Sequence, residues 1–283
     1  MAGGPSVAWI APLAGATIFA VMLSLGLLLG REHLTAAMQR RTVLAAVLFS
    51  VVVPVPALAV LFVKLLGLTG PVAAGIVLMA ISPGAPVALR RAIDAGGHAQ
   101  FTPALHLAIV ILAIVTVPLS VTVMDAIFSA SAVLSPFDVA RQVFFAQLLP
   151  LGVGAAVRIR WPETAAWWAP RLARISNVML LLLAAVCIIV LGPAIVRIGW
   201  MPSVAGVVLT LCALAVGAAF AGRDPSVRTA GAIGAAMRNP GLALLIATVN
   251  RAKPAVTASV FGYALGLAVV VAAFVIWRSR RRG

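Results

Sequence analysis

Nine long apolar runs, separated by short polar punctuation, make up almost the whole chain. They cover about residues 7–30, 42–66, 71–92, 100–124, 137–157, 176–197, 202–222, 229–250 and 254–277. Each holds about 20 residues or more, which at ~1.5 Å per residue crosses about 30 Å of hydrocarbon. The pattern predicts an all-α polytopic membrane protein of nine transmembrane helices. Connections are short, so no soluble domain is expected. The one long connection, RIRWPETAAWWAPRLARIS (158–176), carries Trp161, Trp167 and Trp168. Such residues suit the membrane–water interface, and the segment predicts a short helix lying on that surface.

Two runs are interrupted near their middles. The third contains Ser82-Pro83-Gly84 and the eighth Asn239-Pro240-Gly241. In both, a polar residue is followed by Pro, which removes a backbone donor and clashes with the preceding turn. Gly then permits irregular backbone. Both spans are therefore expected to be two half-helices joined by an unwound piece. Freed backbone groups cannot face lipid, so the breaks must face protein or a water-filled cavity. The two runs are five apart and so cross the bilayer in opposite directions. That placement predicts inverted repeats, about 7–124 and 137–277, with the fifth span as the extra first member of the second half. Paired discontinuous helices of this kind mark secondary transporters that bind solute near the midplane.

Composition agrees with a membrane bundle. Of 283 residues, 63% are hydrophobic and 10% charged, with a mean hydropathy of +1.16. The net charge of +15 does not point to nucleic acid, because the basic residues sit in short clusters between apolar runs. With the N-terminus outside, fifteen fall on the cytoplasmic side, among them Arg31, Arg40, Arg41, Arg90, Arg91 and the Arg278–Arg282 tail. Four (Lys64, Arg197, Arg251, Lys253) fall outside, and Arg141 and Arg238 lie within spans. This asymmetry places the protein in the plasma (inner) membrane, multi-pass, with a cytoplasmic C-terminus. The opening MAGGPSVAWIAP has no basic start and leads into a run long enough to span, so no cleavable signal peptide is expected. Cys187 and Cys212 lie inside apolar runs and read as small buried side chains.

The candidate chemistry lies in GAAMRNPGLALLIA (234–247), where Arg238 is the one full charge. An arginine at membrane depth costs about 2.5–3.5 kcal/mol on insertion scales, so it should face a cavity or a partner. It precedes Asn239-Pro240-Gly241 and follows Met237, at the end of the first half-helix, where backbone carbonyls favour a cation. All six acids fall in loops or at span ends. No catalytic cluster is evident, which disfavours an enzyme, and no phosphate-binding loop points to ATP drive. No cofactor or metal centre is indicated. A channel or a non-transporting sensor stays open beside the carrier.

These stretches resemble the bile acid:sodium symporter family. GAAMRNPGLALLIA is similar to its crossover motif, Glu-x-x-Met-Gln-Asn-Ser-Gly-Leu-Ala, and SPGAPVAL (82–89) to its Cys-Pro-Gly-Gly-x-x-Ser-Asn. Residues 21–62 resemble its early Met-Gly-Leu, basic loop and Pro-containing helix. The resemblance implies panel and core domains that rock against each other, broken helices crossing at the solute site, and transport of bile acids or other organic anions, often with sodium. It also exposes departures. The family's sodium-binding Glu falls on Gly234, its Gln on Arg238, its Ser and Asn on Ala88 and Leu89, and a Ser and Thr of the next helix on Thr102 and His106. A further Gln falls near Phe49. Of the usual oxygen ligands only Thr102 survives, which argues against sodium coupling, since hard cations want several oxygens.

Three roles for Arg238 follow: a tethered replacement for the ion, a partner for a solute carboxylate or sulfonate, or a group bonded to local carbonyls alone. His106 shares a helix face with Thr102. It is either a proton-coupling group or a neutral histidine bonded to neighbouring backbone. Arg141, one turn into the fifth span, reads as a helical pair with Asp138 or as snorkelling. The Arg90-Arg91 pair that ends the third span reads mostly as topology, with attraction of anions to the inner mouth as its alternative. The expected partners are a small organic anion and the lipid bilayer, and the oligomeric state is left open.

Overall fold

The computed structural model describes residues 10–128, 136–250 and 252–281. Regular structure among them is helical. The chain runs through α1 (Ile10–Gly26), α2 (Arg31–Gln39), α3 (Arg41–Val52), α4 (Pro54–Leu65), α5 (Gly70–Ala80), α6 (Ala88–Asp94) and α7 (Phe101–Phe128). The second part holds α8 (Pro136–Val143), a π turn at Phe144–Leu148, α9 (Leu149–Arg160), α10 (Pro162–Ile198), α11 (Met201–Phe220), α12 (Pro225–Ala236), α13 (Pro240–Val249) and α14 (Pro254–Arg280). The N-terminal residues 1–9, Arg251 and Arg282, used above to set the orientation, lie outside the described residues.

Six helical stretches are long and apolar enough to cross a membrane: Arg41–Leu65, Phe101–Val123, Phe137–Arg160, Pro162–Ile198, Met201–Phe220 and Pro254–Arg280. The first, third and eighth apolar runs appear instead as shorter apolar helices, Pro12–Gly26, Gly70–Ala80 and Pro240–Val249. The last two are short because their runs break where Pro and Gly predicted. Large apolar side chains stand exposed around the outside, Val196 at 82% and Ile189 at 76%. Such a surface is suited to acyl chains and not to water.

Two expectations change. Residues 158–176 do not form a separate surface helix. From Pro162 they are continuous with the following span in one 37-residue helix, α10. At ~1.5 Å per residue it is about 55 Å long, more than hydrocarbon requires, so its Trp/Arg-rich start is an extension of the span. There the Arg171 guanidinium lies 3.5 Å from the centre of the Trp167 ring and donates to the Trp167 carbonyl at 2.6 Å. Pro170 inside the helix does not stop it, as membrane helices tolerate Pro when neighbours satisfy the freed groups. The connection after α1 also holds a helix, α2, which packs on α7.

Packing gives one large buried core, to which Ala14 of α1, Val139 of α8 and Leu183 of α10 also belong, and a smaller cluster beside it. One buried core joins Val47 and Val51 of α3, Met79 of α5, Ile109 of α7, Leu209 of α11, Ile233 of α12, Ile246 of α13 and Tyr263 of α14. A second cluster joins Ile18 and Met22 of α1 to Leu151 of α9, with Val110 of α7 and Leu245 of α13 at its edge. α1 packs chiefly against α9 and α10, α11 against α12 and α14. The α11–α14 crossing is close enough that a Cβ at Gly206 or Gly266 would collide with the facing backbone, the small-residue packing favoured between membrane helices.

Candidate functional site

The two broken spans meet at their breaks. α5 ends at Ala80, residues 81–87 are irregular, and α6 resumes at Ala88; α12 ends at Ala236, and α13 resumes at Pro240. Pro83 and Arg238 form an isolated antiparallel bridge. The Asn239 backbone N–H donates to the Ser82 carbonyl at 2.7 Å, and the Asn239 side-chain Nδ2 donates to the Gly84 carbonyl at 3.2 Å. The Asn239 Oδ1 accepts from the Leu242 N–H at 3.0 Å and so caps α13. Ser82 Oγ donates back to the Leu78 carbonyl at 2.7 Å. These polar groups at the breaks thus find partners in their own helix or in the opposite break, as a site without bulk water favours. Ser82, Pro83, Gly84, Asn239, Pro240's neighbour Gly241 and Met237 are all buried.

Arg238 is 1% exposed and ranks among the largest fully buried side chains. Its Nη2 donates to the Ala235 carbonyl at 2.9 Å and to the Val51 carbonyl at 3.1 Å. The first is an acceptor left over at the C-terminus of α12. The second lies where Pro54 and Pro56, both lacking an N–H, open the ladder between α3 and α4. Three elements are therefore tied by one guanidinium: the end of α12, the kink between α3 and α4, and, through the Pro83 bridge, the first break. Two charge-assisted bonds at about 1.5–3 kcal/mol each are of the same order as the ~2.5–3.5 kcal/mol cost of placing the charge at this depth. Nε and Nη1 have no hydrogen-bond partner among the described residues.

Thr102 and His106 lie together, as their spacing predicts. Both line a small void between α6, α7 and α12, with Ala88, Leu89 and Gly234. Its volume is about 10 Å³, room for one water at most. Thr102 Oγ1 and His106 Nε2 are buried there without a partner. Of the positions that the resemblance assigns to ion ligands, Ala88, Leu89, Thr102, His106 and Gly234 line this void, whereas Arg238 is not in its wall and Phe49 is half-exposed against Phe220. The donor set does not fit sodium, because Ala88, Leu89 and Gly234 offer no side-chain oxygen. No cluster of three or more His, Cys, Asp or Glu side chains occurs among the described residues. Arg141 lies 6.0 Å from the centre of the Phe145 ring, away from the crossing.

A larger cavity, about 310 Å³, opens on the other side of the crossing. Its walls come from α1, α10, α13, α14 and both breaks, and include Ile18, Leu183, Cys187, Asn239, Phe261 and Leu267. The α3–α4 segment reached by the Arg238 guanidinium contributes nothing to these walls. Cys187 and Cys212 are free thiols.

Two contributors, the Val51 carbonyl and Gln147, were not singled out from the sequence. The Val51 carbonyl carries no side-chain signal. Arg91, read mostly as topology with anion attraction as the alternative, is exposed and lines the large cavity. Gln147, on the π turn, is fully buried with neither amide atom bonded. It faces the first break, with Oε1 4.0 Å from where a Cβ on Gly84 would sit; π turns often mark functional positions.

Residues 16–198, more than half of the chain, match the model of the Sodium Bile acid symporter family. No curated protein matches the chain.

Proposed function

The chain belongs to the sodium bile acid symporter family, and from that premise we propose that it is a secondary carrier of an organic anion that works by alternating access without sodium. The observation that carries this reading is the Arg238 guanidinium, bonded to the Val51 and Ala235 carbonyls at the crossing. Relatives are expected to place a mobile cation there. A permanently charged side chain supplies the same positive charge to the same kind of acceptors and cannot leave with the solute. The crossing is then held shut at all sodium concentrations. The inverted repeats, nine spans and inner-membrane placement with a cytoplasmic C-terminus belong to the same proposal.

The moving parts are assigned from the family resemblance. In this reading α1 and α8–α10 form one body, the panel, and α3–α7 and α11–α14 form the other, the core, with the crossing at its centre. The large cavity lies between them, beside the backbone of Met237 to Gly241 and Ala85 to Val87. Rocking of one body against the other exposes that cavity alternately to the two sides of the membrane. Arg238 serves as a strut of the core, and the irregular backbone of Ala85 to Val87 and of Met237 to Asn239 walls the cavity.

A second reading has its own support. The unpartnered His106 Nε2 faces Thr102 Oγ1 in the small void, so a proton moving on and off His106 would couple transport to pH. Unchanged pH dependence of transport in His106→Ala would remove that coupling and leave the uncoupled carrier.

Counterflow in proteoliposomes tests the class. Preloading with unlabelled organic anion should drive transient accumulation of labelled taurocholate or a smaller carboxylate. A channel gives equilibration without overshoot, a sensor gives no flux, and either result sinks the carrier reading.

A further inference from the structure

The large cavity is apolar on nearly all sides, yet one mobile positive head stands at its edge. Arg91 comes from α6, four residues beyond the break, one turn after Val87 whose carbonyl accepts its backbone N–H at 3.1 Å. Its side chain is exposed and makes no hydrogen bond or ion pair within the described structure. Arg238 also lines the cavity, but its Nη2 is bonded to the Val51 and Ala235 carbonyls, and its Nε and Nη1 have no partner among the described residues. Arg90, its neighbour in sequence, lies outside the cavity wall.

We propose that Arg91 is the anion-selecting residue of the solute site, and that the site takes a compact amphipathic monoanion. The carboxylate or sulfonate sits on Arg91 at the mouth, and the apolar body lies against Leu183, Phe261 and Leu267. This rests on the carrier reading for the role of the cavity, but not on sodium independence. Size and chemistry both narrow the class. About 310 Å³ is at the low end of ligand pockets, roughly 300–1,000 Å³. The walls hold no acid, so a cationic head finds no partner. A second strongly polar group deep in the solute would meet only Asn239 and Thr17, and burying it unpaired is costly. The two arginines thus divide the labour that one was expected to perform: a strut at the crossing and a headgroup anchor at the mouth. Charge-assisted, forked bonding to a carboxylate is what a guanidinium does best.

The test compares 1-naphthoate with its neutral counterpart 1-naphthamide, by equilibrium binding to purified full-length protein in nanodiscs. Wild type should bind naphthoate more tightly. Arg91→Gln should weaken naphthoate about five- to tenfold and leave naphthamide within about twofold. Arg91→Lys should recover part of the loss, and Arg90→Gln should change neither ligand. Ala184→Trp, which fills the cavity, should abolish binding of both. Wild-type protein that binds neither probe, an Arg91→Gln variant that binds both normally, or naphthoate binding that survives Ala184→Trp would each overturn the assignment. Counterflow of naphthoate separates the two claims. Normal exchange by Arg91→Gln keeps the carrier and discards the anchor. Charge-selective binding with no exchange in wild type keeps the anchor and discards the carrier.

Discussion

The two breaks look alike in sequence and differ in construction. The first, residues 81–87, is seven residues long and passes through Gly84 at φ +79°. It offers acceptors: the Ser82 and Gly84 carbonyls both receive bonds from the other break. The second, residues 237–239, is three residues long and has no positive-φ glycine. It offers donors: the Asn239 backbone and amide, and the Arg238 guanidinium. Asn239 joins the two strands directly, whereas the Arg238 guanidinium is bonded outside the first break, to the Val51 and Ala235 carbonyls. The comparison teaches that two look-alike Pro-Gly breaks can be complementary, one supplying acceptors and the other donors.

Substitutions should separate the donor break from the acceptor break. Arg238→Leu should have the largest effect. It leaves the Val51 and Ala235 carbonyls unpaired in a dry site, a loss of about 3 kcal/mol or more, with transport reduced at least ~100-fold. Detergent-solubilised protein should also melt several degrees lower. Wild-type flux in this variant would mean that the crossing needs no charge.

Gly84→Ala comes next, on the acceptor side. A side chain at φ +79° costs about 1–2 kcal/mol, and the new Cβ would lie 3.2 Å from Val110 Cγ2. Reduced melting temperature with retained solute preference is expected. A fully stable Gly84→Ala would show that the backbone there relaxes freely.

Asn239 can be divided by two replacements. Asn239→Ala loses both the α13 cap, about 0.5–2 kcal/mol, and the bond to the Gly84 carbonyl. Asn239→Ser keeps a capping oxygen and is too short to reach the Gly84 carbonyl. Melting should fall in the order wild type, Ser, Ala; a Ser variant no more stable than Ala would assign the whole effect to the cross-break bond.

The smallest effect lies outside the membrane, where the second broken span begins. Asp224 caps α12, and its carboxyl is pushed down from 3.8 to about 2, chiefly by the Ser226 hydroxyl at 2.7 Å, with Arg40 a lesser contributor at 3.2 Å. A depressed folded-state pKa contributes stability above the unfolded value, and that contribution is lost as pH falls from about 4 toward 2. Ser226→Ala should raise the carboxyl pKa and shift that loss to higher pH. The carboxylate is well solvated, so the change should be slight. An acid melting profile identical to wild type would remove Ser226 as the cause.

Much of this was legible in the residues. Pro and Gly announce breaks because their backbone chemistry is local, and Arg238 was visible because a charge at that depth needs a reason. Thr102 and His106 fell on one face by helical spacing alone. What escaped was set by tertiary packing. A carbonyl such as that of Val51 belongs to every residue type, so no letter marks it as an acceptor. Arg90 and Arg91 read alike, mostly as a flank of a span and alternatively as an attraction for anions, and only the packing sets Arg91 and not Arg90 in the cavity wall. Gln147 is one polar residue in an apolar run, and only the π turn aims it at Gly84. The continuity of α10 was hidden because Pro170 and the Trp/Arg-rich segment read as a boundary, whereas neighbouring helices allow the rod to continue.

The central claim is that a fixed guanidinium takes the place of a travelling cation. It is tested most directly by counterflow of a labelled organic anion in proteoliposomes, with sodium or choline as the only added cation, for wild type and Arg238→Gln. Wild type should exchange equally in both salts, and the variant should lose exchange or gain a requirement for sodium. Wild-type exchange that needs sodium, or a variant that transports normally in either salt, would contradict it.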